Sequence, residues 1–169
     1  MINKLNELEQ SLPDLLENET DWQSLFIDYE TPHVHRLWRQ IDDEHRLLLH
    51  RIEPCNRPYM HKHPWPSAVH VLEGLYEMEV GVEESDQVIS PRNLVAAKIV
   101  LAPGNWYEMT NPLAWHYVKP LDVPSYSTML IAKPWPNKVP ETPPPTPRAL
   151  FPHEKAELVA KFKSFFRKK

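Results

Sequence analysis

Apolar residues recur at two different periods along this chain. Between residues 2 and 26, Leu5, Leu8, Leu12, Leu15 and Leu16 fall three and four apart, the spacing that lines one face of an α-helix. Pro13 predicts a split into two short helices, because proline lacks the N–H and clashes with the preceding turn. From Met1 to Glu30 only Lys4 opposes eight acids, the pattern of a solvated cap packed on a main domain. From about Leu47 the period changes. Short runs of branched and aromatic residues predict strands near 46–53, 67–72, 75–82, 95–101, 106–109, 114–119 and 126–132. Turn clusters separate them, including Glu83-Glu84-Ser85-Asp86, Ser90-Pro91-Arg92-Asn93 and Asn111-Pro112. Strands this close leave no room for intervening helices, so the pattern predicts an antiparallel sandwich or barrel rather than βαβ units.

Beyond the strands, residues 134–147 hold seven prolines, which favour an extended arm, read as a strap across the barrel rather than a ligand for a proline-reading domain. The segment from Pro152 to Phe166 regains the helical period, with Leu158, Val159, Phe162, Phe165 and Phe166 in one stripe. That stripe is expected to dock on the barrel or on a second subunit. The resulting division is a helical cap over 1–30, a β-domain over 31–133, the strap over 134–150 and a helix over 151–169. Composition adds one unusual feature. At 169 residues, average usage gives about 12 Gly and about 8 Pro, whereas the chain has 3 and 19, so each glycine is expected where nothing else fits. A single cysteine excludes a disulfide scaffold and fits a reducing, cytoplasmic setting. The net charge of -4 gives no overall attraction to nucleic acid or to an anionic membrane. Neither a secretory leader nor an apolar stretch long enough to span a bilayer is evident.

Chemistry enters with the histidines. His33, His35, His45 and His153 lie in polar surroundings, and His50 lies within a strand run. His61 and His63 flank Lys62, and on an extended chain residues i and i+2 share one face at about 7 Å between Cα atoms. Two imidazoles so placed can hold one metal ion. His116, on a later strand, can complete a set of three.

With its order of motifs the chain resembles the cupin superfamily. The usual first motif runs Gly, five residues, His-x-His, three or four residues, Glu, six residues, Gly. The second runs Pro-x-Gly, two residues, His, three residues, Asn. His61, His63 and Gly74 fit the first at the right spacing, but Ser67 stands in place of the glutamate and the leading glycine is absent. Pro103-Gly104 resembles the turn of the second, although the residue three past that glycine is Tyr107, and His116 takes the role of a displaced ligand. The resemblance covers roughly residues 46–133. It implies a mainly β, single-domain, cupin-like antiparallel barrel of jelly-roll type, to which the helical periods add short N-terminal helices and a C-terminal amphipathic helix.

A site of three histidines without the glutamate is similar to that of the thiol dioxygenases and the β-diketone-cleaving dioxygenases. It implies a divalent transition metal, Fe(II) favoured, with Zn or Ni as alternatives, and a small-molecule substrate. Cysteine itself fits poorly, since the strand Ser125–Ile131 lacks the histidine which that chemistry uses. A carboxylate-binding arginine is open between Arg36, Arg39 and Arg51. Glu108 is the candidate general base or fourth ligand, and Tyr107 an orienting hydroxyl. The expected pocket set is Trp65, Ser67, His70, Trp106, Trp115 and Arg51. His70 faces inward only if a bulge shifts the register set by Ser67. The expected function is that of a metal-dependent, dioxygenase-like enzyme. The alternative is a cupin that binds a small molecule or metal without turnover. A homodimer is expected, to cover an exposed sheet edge.

Overall fold

The computed structural model describes residues 1–82, 95–136 and 146–167. The turn clusters at 83–86 and 90–93, and the proline tract over 137–145, lie outside the described residues. The chain opens with α1 (Ile2–Glu17) and a 3-10 turn (Glu19–Asp21). Three strands follow, β1 (Gln23–Ile27), β2 (Val34–Gln40) and β3 (Arg46–Ile52). Next come the two-residue β4 (His61–Lys62), β5 (Ser67–Glu73), β6 (Tyr76–Val82) and β7 (Val95–Leu101). The last strands are β8 (Trp106–Met109), β9 (Ala114–Pro120) and β10 (Ser125–Ile131), and α2 (Pro152–Phe165) ends the described chain. All strand pairings are antiparallel. They build one sheet of order β1-β2-β3-β10-β5-β8 and a second of order β4-β9-β6-β7. The fold is therefore mainly β in two sheets, without the continuous ladder of a closed barrel among the described residues.

Alternation along the six-stranded sheet sorts its side chains into two layers. One face carries Leu37, Leu47, Leu49, Ala68 and Leu130. These pack with Leu5, Leu12 and Leu16 of α1 and with Leu158, Val159 and Phe162 of α2. The other face carries Ile52 and Val71, which meet Tyr76, Met78, Leu101 and Val118 of the four-stranded sheet. Both helices thus cover the outside of the large sheet, and the space between the sheets is a separate interior. The expected stripe on α2 docks on the β-domain, with Phe162 fully enclosed. No helix among the described residues is long and apolar enough to cross a membrane.

Three local expectations give way. Pro13 sits inside one unbroken α1. Leu12 and Leu16, on either side of it, are fully buried, and that burial outweighs the lost ladder bond, a cost of about 3 kcal/mol. The helical segment ends at Glu17, so Gln23–Ile27 is an edge strand paired with β2. Residues 34–40, which showed no strand signal, form β2 between β1 and β3.

Two of the three glycines stand where a side chain is excluded or strained. Gly74 joins β5 to β6 at φ +80, and a Cβ there would lie 2.8 Å from the Pro124 carbonyl oxygen and 2.9 Å from Ser125 Cα. Gly104 has φ +88 with open space around it. Gly104→Ala is expected to cost only backbone strain, about 1–3 kcal/mol, and Gly74→Ala that strain plus a steric clash. Urea unfolding of both variants checks the order. Equal losses would remove the packing argument at Gly74.

Candidate metal centre

Register brings the three histidines together. β4 pairs with β9 so that His61 lies opposite His116, and His63 follows two residues after His61. His63 Nε2 lies 3.2 Å from His61 Nε2 and 3.2 Å from His116 Nε2. All three ligand atoms fall within 4.8 Å of one another. Ligands about 2.0–2.1 Å from a common ion, at angles of about 90–110°, stand about 2.9–3.4 Å apart. The two short separations match that figure.

The far nitrogens explain which way the protons go. His61 Nδ1 faces the Tyr59 carbonyl oxygen at 3.2 Å, an acceptor, so it carries the N–H. His63 Nδ1 faces Ser67 Oγ at 3.3 Å, and His116 Nδ1 faces Met78 Sδ at 3.4 Å. With the protons on these three Nδ1 atoms, every Nε2 presents a lone pair to the same point, the arrangement second-shell partners give metal-bound histidines. Burial pushes the His63 and His116 pKa values well below the ordinary range, and each is lowered further by the neighbouring imidazoles. His61 is lowered by burial, against an opposing bond to the Tyr59 backbone. Neutral imidazoles are the metal-binding form. The residues present therefore fit a bound divalent ion.

The centre opens on a cavity of about 270 Å³ between the sheets. Apolar Leu48, Val69, Val118 and Met129 form much of its wall, and Tyr107 and Trp65 line it as well. The Tyr107 ring lies 6.4 Å from that of His116, and burial pushes its phenol up to about 12. At neutral pH Tyr107 is a hydrogen-bond donor and not a base.

Alternation sends other candidates elsewhere. On β8 Tyr107 points inward, so Glu108 and Trp106 point outward. Glu108 is held by the Met1 amine and the Ile2 N–H, which keep its carboxyl below the usual range, and it does not line the cavity. On β5 the pairing with β8 runs without a bulge from Ser67 to His70. Ser67 faces in behind His63, and His70 faces out. There His70 stacks on Trp106 at 3.8 Å between ring centroids and meets the buried Glu9 of α1 at 2.9 Å, with Thr128 donating to the same carboxylate. Trp115 is fully buried, but it does not line the cavity. Arg51 pairs with Glu53 at 2.8 Å and Arg39 with Asp21 at 2.9 Å, both away from the cavity wall. Arg36 is the arginine that lines it.

His50, unremarkable in the sequence, is a further cavity residue. Arg36 Nε donates to His50 Nε2 at 2.8 Å, across the register pair Arg36–His50 of β2 and β3. Ser127 of β10 lies opposite His50 on its other side and also lines the cavity. A polar row thus crosses three strands of the large sheet, between apolar Leu48, Ile52 and Met129 of the same wall. A histidine inside a hydrophobic strand run was the only signal available for it.

No protein-family model matches the chain, and no curated protein does. Solved structures do. Hydroxypropylphosphonic acid epoxidase from S. wedmorenis is 15% identical with a TM-score of 0.50, over 67% of this chain and 56% of that one. The Fe(II) form of HppE gives 0.50 at 12% identity, over 67% of this chain and 57% of that one. KdgF from Halomonas sp. gives 0.46 at 17%, over 63% of this chain and 85% of that one.

Burial of neutral histidines sets a pH dependence. Unfolded histidine titrates at about 6.5, while folded His50, His63 and His116 are depressed well below that by burial. Below about pH 6.5 the unfolded chain binds protons that the folded chain does not, so stability is full above that pH and falls as pH drops, by about 1.4 kcal/mol per unit for each histidine. Melting the metal-free protein between pH 8 and 5 is expected to show the fall. His50→Gln is expected to make it shallower by one histidine's share, and an unchanged slope would contradict this.

Proposed function

The chain has the cupin fold, and from that premise we propose that it is a metal-dependent, dioxygenase-like enzyme acting on a small organic anion. The observation that carries this reading is the convergence of three Nε2 lone pairs on a cavity between the sheets. Three neutral ligands would leave a bound ion further positions for ligands from the cavity. Iron(II) bound there supplies sites for O₂ and substrate together. Zinc would instead call for a base to work with its water, and no carboxylate among the described residues touches the three histidines. Glu108, the acid expected in that role, lies on the opposite face of β8. Fe(II) HppE shares the fold, and its iron is in line with this choice.

The chain's own groups have separate tasks. His61, His63 and His116 hold the ion, with Tyr59, Ser67 and Met78 fixing their tautomers. Tyr107 donates its hydroxyl proton to an oxygen of the bound molecule. Leu48, Val69 and Met129 keep bulk water from the reacting atoms. Arg36 supplies the charge that selects an anion. Burial lowers its pKa to about 10, and no carboxylate among the described residues pairs with it. Glu30 is a carboxylate in the same lining; Arg36 together with a divalent ion would outweigh it, and an anionic substrate would offset the excess positive charge.

A cupin that binds without turnover is the second reading, favoured by the lack of a general base beside the ligands. Elemental analysis and O₂ consumption separate the two. The protein reconstituted with Fe(II) is expected to hold about one iron per chain and to consume O₂ with small carboxylates. His63→Ala is expected to lose the iron while staying folded. Ser67→Ala, which frees the His63 ring, is expected to weaken metal binding by about 10–100-fold. Stoichiometric iron without O₂ consumption across a panel of C2–C6 carboxylates would favour the binding reading. No metal in the reconstituted wild type would overturn both forms of the metal account.

A further inference from the structure

We propose that His50 is the positioning residue of this cavity: its neutral imidazole fixes the Arg36 guanidinium so that the remaining N–H groups meet the ligand's anionic group. The inference rests on the anion reading above and assigns the residue that makes Arg36 selective.

Arg36 is the arginine of the cavity lining, and its printed partner is not a carboxylate. Arg39, Arg51 and Arg148 each pair with a carboxylate, at 2.9, 2.8 and 3.0 Å. The side-chain partner of Arg36 is His50, a neutral acceptor. A carboxylate at that place would cancel the charge and compete with a ligand. An apolar residue would leave a long, rotatable side chain without a fixed direction. A histidine that accepts at Nε2 avoids both. It takes the Nε proton and leaves the Nη fork free for bidentate contact with a planar carboxylate. The bond also sets the tautomer of His50: a lone pair on Nε2 places its proton on Nδ1.

The backbone supports the same assignment. Arg36 and His50 are directly opposed on neighbouring strands, and His50 and Ser127 are opposed on the next pair. The side chains are held from rigid strands rather than loops. Burial depresses the His50 pKa well below the ordinary range, and the Arg36 charge adds to the shift, so His50 stays an acceptor at neutral pH.

The test is a double-mutant cycle on iron-loaded protein kept free of O₂, with metal content measured for each variant. The probes are 2-hydroxyisobutyrate and its uncharged amide, and calorimetry reads the preference for carboxylate over amide. Wild type is expected to prefer the carboxylate at least tenfold. Arg36→Gln should reduce the preference about tenfold, leaving the share the iron supplies, and His50→Leu should reduce it about threefold with iron content unchanged. His50→Gln, whose carbonyl oxygen can accept the same N–H, should restore most of it. In the Arg36→Gln background His50→Leu should have no further effect, as a residue acting only through Arg36 requires. Full preference in His50→Leu, or an equal loss with and without Arg36, overturns the role of His50 while leaving the anion reading intact. No preference in wild type, or no effect of Arg36→Gln, overturns the anion reading and this inference with it. Thermal melts of His50→Leu and His50→Gln separate a folding defect from a binding one.

Discussion

Three imidazoles that each direct a proton away from their common centre leave three lone pairs facing one another. Without a cation between them, such groups repel or must share a proton, and burial penalises the charged form. The surrounding structure holds that arrangement in place. Tyr59, Ser67 and Met78 fix the outward nitrogens, and the pairing of β4 with β9 brings His61 to His116. In the proposed reading the cavity serves a cation at that point, and Arg36 serves an anionic ligand beside it.

Strand alternation distributes the remaining roles. The large sheet gives one face to α1 and α2 and the other to the cavity, so neighbouring residues have unrelated tasks. Tyr107 meets the cavity while Glu108 anchors the start of α1. Ser67 stands behind a ligand, and His70, three residues on, joins Glu9 and Thr128 beneath the helix. The helices therefore stabilise the sheet from outside without entering the site. Their shared apolar layer, from Leu5 to Phe162, forms a core of its own.

Much of this is legible in the chain itself. The His-x-His spacing, the later His116 and the run of short strands lead to the two-sheet fold and to its cluster of three histidines. Gly74 and Gly104 were marked by the scarcity of glycine and by their motif positions, and both have positive φ. What was hidden has a common physical origin. β2 escapes notice because its inward position 36 carries a charge where the alternation calls for an apolar residue. Its neighbour His50 reads as an ordinary core histidine for the same reason. Glu108 reads as a catalytic candidate and His70 as a pocket candidate by their places in the sequence, but a one-residue step along a strand reverses the face. Pro13 stays within α1 because packing on both sides of it outweighs a local propensity that the sequence alone cannot weigh.

The account turns on whether a cation sits at the point the three lone pairs define. The most direct measurement is a crystal of the metal-reconstituted protein, with anomalous scattering recorded above and below the metal's absorption edge. The account predicts one strong anomalous peak about 2.0–2.2 Å from Nε2 of His61, His63 and His116, absent in crystals of His63→Ala. A cavity without such a peak, with the imidazole rings turned so that a proton bridges two of the Nε2 atoms, would contradict it.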